Sequence, residues 1–183
     1  MKELDKNIKR KYLFSEYDPN WVNKFGSIKN FLSGIFGDKA LQIEHVGSTS
    51  IPEMKAKPLI DVLIIVKDIK DLSQETLEMV DAGYEWGENY IAPDTLIFFK
   101  LGPDGEKLEN IHVCEQDTPK VKQFLIMRDF FRTFPEKAKS YSDLKETNAQ
   151  KYPTDYPAYR AAKKPFLDEM EKEAYEWAKS KSI

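Results

Sequence analysis

Cysteine is almost missing from this chain: Cys114 is the single one in 183 residues. One thiol excludes an internal disulfide, and a reducing, cytoplasmic compartment is the simplest expectation. Histidine is nearly as scarce, with only His45 and His112, and no zinc-ligand pattern is present. Long apolar runs are lacking. The longest, Leu59 to Val66, contains Asp61 and falls far short of the roughly 18 residues a membrane helix takes, so no membrane association is expected. Met1 to Lys11 is charged and has no apolar signal-peptide core. A surplus of one charge is lacking too. Lys plus Arg is 28 against 31 for Asp plus Glu, a net charge of −3. No global field exists to hold phosphate backbones, so non-specific nucleic-acid binding is not expected, although a local basic pocket remains open. A P-loop, a G-x-G-x-x-G fingerprint and a nucleophile elbow are absent. No internal repeat and no Gly-, Ser- or Pro-rich linker is visible.

What is present is enough for a core: 41% hydrophobic and 13% aromatic residues in a length that suits one domain. Residues 1–16 read as a loose arm and 17–183 as a single domain, divided into a core at 17–117 and a helical block at 118–183. Asp18-Pro19 caps a first helix, whose Trp21, Val22, Phe25, Ile28, Leu32, Ile35 and Phe36 share one face before Gly37 stops it. Leu41 to Val46 reads as a strand. Leu59 to Val66 is apolar on both faces except at Asp61, the signature of a strand covered on both sides in mid-sheet. A short helix at 72–82 ends at Gly83. Strands follow at Tyr84 to Ile91, Thr95 to Leu101 and Leu108 to Glu115, the last two joined by the turn Gly102-Pro103-Asp104-Gly105 as an antiparallel hairpin. Thr118-Pro119 caps another helix and Pro135 starts the next, running to about Lys151. After a break at 152–157 a last helix is kinked or restarted by Pro165. The expected fold is α/β or α+β: a mixed sheet flanked by helices, with a helical C-terminal block.

The chemistry sits at two strand ends. Gly47-Ser48 closes the first strand, and Asp61 follows on the next after twelve intervening residues. A glycine turn lets backbone approach a phosphate, whose oxygens its N–H and hydroxyl groups can hold. A carboxylate on the neighbouring strand can hold Mg²⁺, which shares phosphates with one or two carboxylates. Gly-Ser followed by aspartate in an apolar strand is the start of the nucleotidyltransferase pattern.

These residues also resemble a family. Glu44-His45-Val46-Gly47-Ser48-Thr49-Ser50-Ile51-Pro52 and Lys57-Pro58-Leu59-Ile60-Asp61-Val62 look like the signature of the GrpB-like proteins. The resemblance continues through Asn110-Ile111-His112-Val113, Arg128-Asp129-Phe130 and Tyr159-Arg160-Ala161-Ala162-Lys163-Lys164-Pro165-Phe166. It covers almost everything after Tyr17. It implies a nucleotidyltransferase-like core followed by helices, related to a domain fused to dephospho-coenzyme A kinase in some bacteria.

One departure is informative. Active nucleotidyltransferases carry a second carboxylate two residues after the first, and here Leu63 stands there, on the same strand face as Asp61. A two-metal site would lack a ligand unless another residue supplies it. His112 and Glu115 are the replacements to weigh. Asn110, His112 and Cys114 share one face of a later strand while Glu115 faces the other way, so His112 is the candidate, as metal ligand or base. The blander reading is a core histidine bonded to backbone, and His45 has the same ambiguity.

Asp61 and His112 are therefore the candidate catalytic and metal-binding residues. Gly47, Ser48, Thr49, Ser50, Lys57, Arg128 and Lys163 are the candidate phosphate binders. Each has a plainer alternative: a structural ion pair of Asp61 with Lys57 or Arg128, an ordinary turn at Gly47-Ser48, a salt bridge of Arg128 within the helical block, a surface position for Lys163. Tyr159 reads as a base-stacking candidate or as packing, and Cys114 as a small buried hydrophobe. The expected function is a nucleotidyltransferase-like protein that binds a phosphorylated small molecule, a nucleotide with Mg²⁺, and transfers a nucleotidyl group if catalytic. The rival is a ligand- or partner-binding module without turnover, which Leu63 supports. A third reading is metal-dependent hydrolysis by Asp61, His112 and His45.

Overall fold

A computed structural model describes residues 14–89 and 91–181. Asp18 accepts the N–H of Asn20 at 2.9 Å and starts α1 (Asn20–Phe36), which ends at Gly37 with φ +48°. Then come β1 (Ala40–Val46), β2 (Ile60–Val66), α2 (Ser73–Asp81), β3 (Glu85–Glu88), β4 (Thr95–Leu101) and β5 (Lys107–Glu115). The helical block is α3 (Pro119–Thr133), α4 (Pro135–Lys151) and α5 (Tyr156–Ser180). Thr118 caps α3 and Asp155 caps α5 through their side chains.

The strands form one mixed sheet in the order β1-β2-β5-β4-β3. Only β2 and β5 run parallel; the other pairs are antiparallel. The fold is α+β, with the expected mid-sheet place for β2 and the expected β4–β5 hairpin. Side-chain alternation then gives the sheet two faces. Ile60, Val62, Ile64, Ile111 and Val113 point to α1 and α2, where Trp21, Leu32, Phe36 and Met79 complete a dry core. Leu63, Ile65 and Cys114 point the other way, onto Val121, Phe124 and Leu125 of α3. A third cluster, Phe130, Phe131, Ala138, Tyr141, Met170 and Ala174, binds α3, α4 and α5 together and takes in Ile51 and Met54 from the β1–β2 connection. Each fully buried side chain of this size contributes roughly 1.5–3 kcal/mol.

Some boundaries differ from expectation. The β3 strand is four residues, because the following loop turns through Asn89 and Asp94 at positive φ. The β2 strand starts one residue late, after a tight turn in which the Lys57 carbonyl accepts the Leu59 N–H at 2.7 Å. Pro165 does not break α5, which runs through it. Residues 1–13 of the expected arm lie outside the described residues. Its end is not loose: Ser15 and Ala56 exchange backbone bonds of 2.9 and 3.1 Å, and Glu16 pairs with Lys55 at 2.8 Å. Among the described residues, no helix is long and apolar enough to cross a membrane.

Candidate functional site

The β1–β2 connection begins at Gly47, whose φ is +71°. A Cβ there would lie 2.5 Å from Asp61 Oδ2, so glycine is required both by conformation and by the carboxylate packed against it. Ser48–Ser50 then forms one turn of 3-10 helix. Two of its hydroxyls are turned inward. Thr49 Oγ1 donates to the Leu59 carbonyl at 3.0 Å and lies 3.1 Å from His45 Nε2. Ser50 Oγ donates to the Gly47 carbonyl at 2.7 Å. These bonds fix the loop and leave Thr49 and Ser50 ill-placed as phosphate ligands. Only the Ser48 hydroxyl engages a charged group, Lys145.

Asp61 and His112 do come together. Parallel pairing sets Asp61 beside Asn110 and Leu63 beside His112, all on the face toward α3. Asn110 donates to Asp61 Oδ1 at 2.9 Å, and His112 Nε2 lies 3.6 Å from the same oxygen. The His112 ring rests on Phe124 at 4.9 Å. Two buried atoms here, Asn110 Oδ1 and His112 Nδ1, lack a hydrogen-bond partner among the described residues.

The residues fit resident Mg²⁺ poorly. Asp61 is a lone carboxylate. Leu63 is fully buried in the apolar cluster on that face, and imidazole is a poor partner for a hard, oxygen-seeking ion. Among the described residues, no three His, Cys, Asp or Glu side chains are grouped to hold a metal.

Arg132 donates to the Ser50 carbonyl of the Ser48–Ser50 turn, and two lysines lie nearby, Lys145 at the Ser48 hydroxyl and Lys163 near Lys145. Lys145, on α4, is 3% exposed. Its Nζ donates to the Lys55 carbonyl at 2.7 Å and sits 3.1 Å from Ser48 Oγ. The ammonium lies 4.7 Å from the Tyr141 ring centroid and 5.8 Å from that of Phe14. Lys163, on α5, lies over the Tyr159 ring at 4.6 Å. Burial first, and then the positive charge of Lys163, push the Lys145 amine down to about 7. Burial, and then Arg160, push Lys163 down to about 8. Burial, and next Asp61, raise the Tyr141 phenol, which places Tyr141 within electrostatic reach of that carboxylate. Among the described residues, neither lysine has a carboxylate salt-bridge partner.

Arg128 is elsewhere. It donates to Glu44 at 2.7 Å and to Asp129 at 2.7 and 3.2 Å. Burial works against its charge, but these two carboxylates hold its proton more tightly than usual. Arg128 lines a separate cavity of about 410 Å³ along β1, with Arg132, Phe25 and His45. Arg128 takes the plainer alternative of a salt bridge, to Glu44 on β1 as well as to Asp129 within its own helix. Asp61 is paired with Asn110 and His112 rather than Arg128. Lys57 sits half-buried at the approach to β2. His45 stacks on Phe25 at 4.8 Å, and burial pulls it down to about 4, so it is a neutral core histidine.

Reading the sequence alone misses Lys145. Ala138, Tyr141, Ser142, Lys145 and Asn148 form one buried stripe of α4, but with Ser, Lys and Asn in it the stripe carries no apolar periodicity for the sequence to show.

A family model described as GrpB protein matches residues 13–173. The YqkA protein of Bacillus subtilis (strain 168) is 35% identical over 175 residues, covering 95% of this chain and 50% of that protein. A dephospho-CoA kinase of Mycolicibacterium paratuberculosis is 26% identical over 186 residues, 89% of this chain and 46% of the kinase. The chain thus spans about half the length of these two relatives. The crystal structure of conserved protein GrpB from Enterococcus faecalis superposes with a TM-score of 0.83 at 32% identity, over 88% of this chain and 96% of that one.

Proposed function

The chain belongs to the GrpB family, and from that premise we propose that it binds a phosphorylated small molecule, a nucleotide in class, with the phosphate at Ser48 between Lys145 and Lys163. The observation that carries this reading is the lysine pair itself. Two desolvated amines lie close enough to repel each other, and no carboxylate pairs with them among the described residues. A buried charge is costly unless neutralised, and a phosphate dianion neutralises two. Phe14, half-buried beside the Lys145 amine, offers a ring face for a base, whereas Tyr141 is stacked between Phe131 and Phe166. Asp61 packs against the Gly47 turn that leads into Ser48, with His112 beside it.

A nucleotidyltransferase-like ancestry agrees with the Gly-Ser turn and Asp61. Leu63 and the incomplete metal shell favour the binding module over an active transferase. Mg²⁺ would arrive with the ligand's phosphates, with Asp61 as its one protein carboxylate.

The test is a thermal-shift screen of nucleotides, inorganic phosphate and their unphosphorylated nucleosides, with and without Mg²⁺. One relative is named a dephospho-CoA kinase, so dephospho-CoA joins the panel. A ligand at a hundred times its Kd adds about 2.7 kcal/mol. Phosphorylated compounds should raise Tm and nucleosides should not; equal shifts from both would overturn the reading. Mg²⁺-dependent shifts that vanish in Asp61→Asn would assign the ion to Asp61. Pyrophosphate release from a nucleoside triphosphate would restore the transferase.

A further inference from the structure

Ser48 and Lys145 have a second chemical use. We propose that Ser48 is a nucleophile and Lys145 its general base, a serine–lysine dyad that accepts an acyl group from an ester.

The geometry is that of a dyad. Ser48 Oγ and Lys145 Nζ are 3.1 Å apart. Lys145 is buried, whereas Ser48 is half-buried and reachable from solvent. A neutral amine has two N–H groups and one lone pair. One N–H goes to the Lys55 carbonyl at 2.7 Å, which orients the nitrogen and leaves its lone pair for the serine proton. The turn at Gly47 sets Ser48 two residues past the end of β1, as the first residue of the 3-10 turn Ser48–Ser50 that the Thr49 and Ser50 hydroxyls hold in place.

The charged groups around Lys145 favour its neutral form. Lys163 approaches from α5 and lowers it, while Glu146, next to it on α4, raises it more weakly. The Glu146 carboxylate is bound to Lys55 Nζ at 3.2 Å, and that ammonium also holds Glu16. Asp61 acts on the neighbouring Tyr141 hydroxyl. A desolvated lysine beside a second cation is the arrangement that makes an amine basic enough to serve, yet unprotonated, near neutral pH.

The step balances within the site. Ser48 Oγ bonds to the carbonyl carbon as its proton passes to Lys145 Nζ and the C=O π pair moves to oxygen. Collapse breaks the bond to the leaving alcohol, which takes the proton from Lys145. Acyl-Ser48 and free alcohol remain, and water repeats the sequence to release the acid. The proposal goes beyond the anion-binding reading and does not rest on it. The same nitrogen is a base toward an ester and an ammonium toward phosphate.

The test uses the whole chain and p-nitrophenyl acetate, without phosphate. A burst of p-nitrophenolate should accompany one acetyl group on the peptide carrying Ser48, with a pH midpoint near that of Lys145, about 7. Ser48→Ala should abolish the burst, and Lys145→Met and Lys145→Arg should each slow it about a hundredfold. Circular dichroism confirms that the variants fold, and peptide mapping of the wild type needs no variant. Acetyl found on Lys145 or Lys163 instead of Ser48, or an undiminished burst in Ser48→Ala, would overturn the dyad. Phosphate binding is measured separately by calorimetry without ester, so the failure of one reading is distinguishable from the failure of the other.

Discussion

Arg132 reaches the short loop after β1 at the Ser50 carbonyl and Lys145 reaches it at the Ser48 hydroxyl, each with a second cation nearby, and the protein treats the two pairs differently. On α3, Arg128 is matched by Glu44 and Asp129, and Arg132 donates twice to the Ser50 carbonyl at 3.0 and 2.9 Å. On α4 and α5, Lys145 and Lys163 have hydroxyl, carbonyl and aromatic neighbours. The arginine pair is neutralised from within, so its work is structural: it ties α3 to β1 and to the loop. The lysine pair has no such carboxylates among the described residues, and the proposed phosphate would take their place. Burial alone does not separate the two, because Arg128 is only 12% exposed at its side chain. What separates them is where the carboxylates are.

The largest expected effect breaks the comparison at its functional side. Lys145→Met should weaken phosphate binding by roughly 10- to 100-fold, the worth of a charge-assisted hydrogen bond, without lowering Tm. Calorimetry and thermal melts check both halves. Arg128→Met should do the reverse, costing about 1–3 kcal/mol in urea denaturation, discounted for the part-exposed Glu44, with affinity unchanged. Loss of binding in Arg128→Met with an unchanged fold would merge the two pairs.

Gly47→Ala strikes the loop both pairs hold. Its positive φ and the contact with Asp61 predict a loss of about 1–3 kcal/mol, read by urea denaturation, and Asp61→Asn should not recover it.

The pH dependence sharpens the comparison further. Lys145 and Lys163 lie below the ordinary lysine value when folded. The unfolded chain therefore binds more protons between about pH 7 and 10.5, and the stability of the phosphate-free protein should rise with pH through that window. Lys145→Met and Lys163→Met should flatten the rise; Arg128→Met should not. His45, held near 4 by burial, acts at the acid end. The unfolded chain binds its proton below about 6.5, so stability should fall as pH drops from 6.5 toward 4, by up to roughly 3 kcal/mol, and His45→Asn should remove that slope.

The smallest effect concerns Cys114, whose thiol burial pushes up to about 11. A thiol reagent should modify it slowly in the folded protein and promptly in urea; fast reaction in both would show an open α3 face.

The sequence was most legible where one residue type sufficed. Asp61 interrupts an apolar strand, and Gly47 marks a turn, so their meeting followed from strand order; period-two alternation put His112 on the same face. The cationic side was less legible because it depends on partners far along the chain. Arg128 reads as buried among Phe124, Leu125 and Phe131, but nothing local says that Glu44, 84 residues earlier, meets it. Lys145 lies in a helix rich in Lys, Glu, Asp and Ser, which reads as solvated until α5 covers it. Lys163 reads as surface for the same reason. The sheet and its capped helices were recoverable from local signals. The continuity of α5 through Pro165 was not, because neighbouring helices hold it.

The central claim is that the lysine pair accepts protons when an anion arrives. Calorimetry of inorganic phosphate binding at pH 8, in two buffers of different ionisation enthalpy, measures that directly. The wild type should take up about one proton per phosphate bound, mainly on Lys145, and Lys145→Met should take up much less. Phosphate binding with no proton uptake, or no binding at all, would contradict the account.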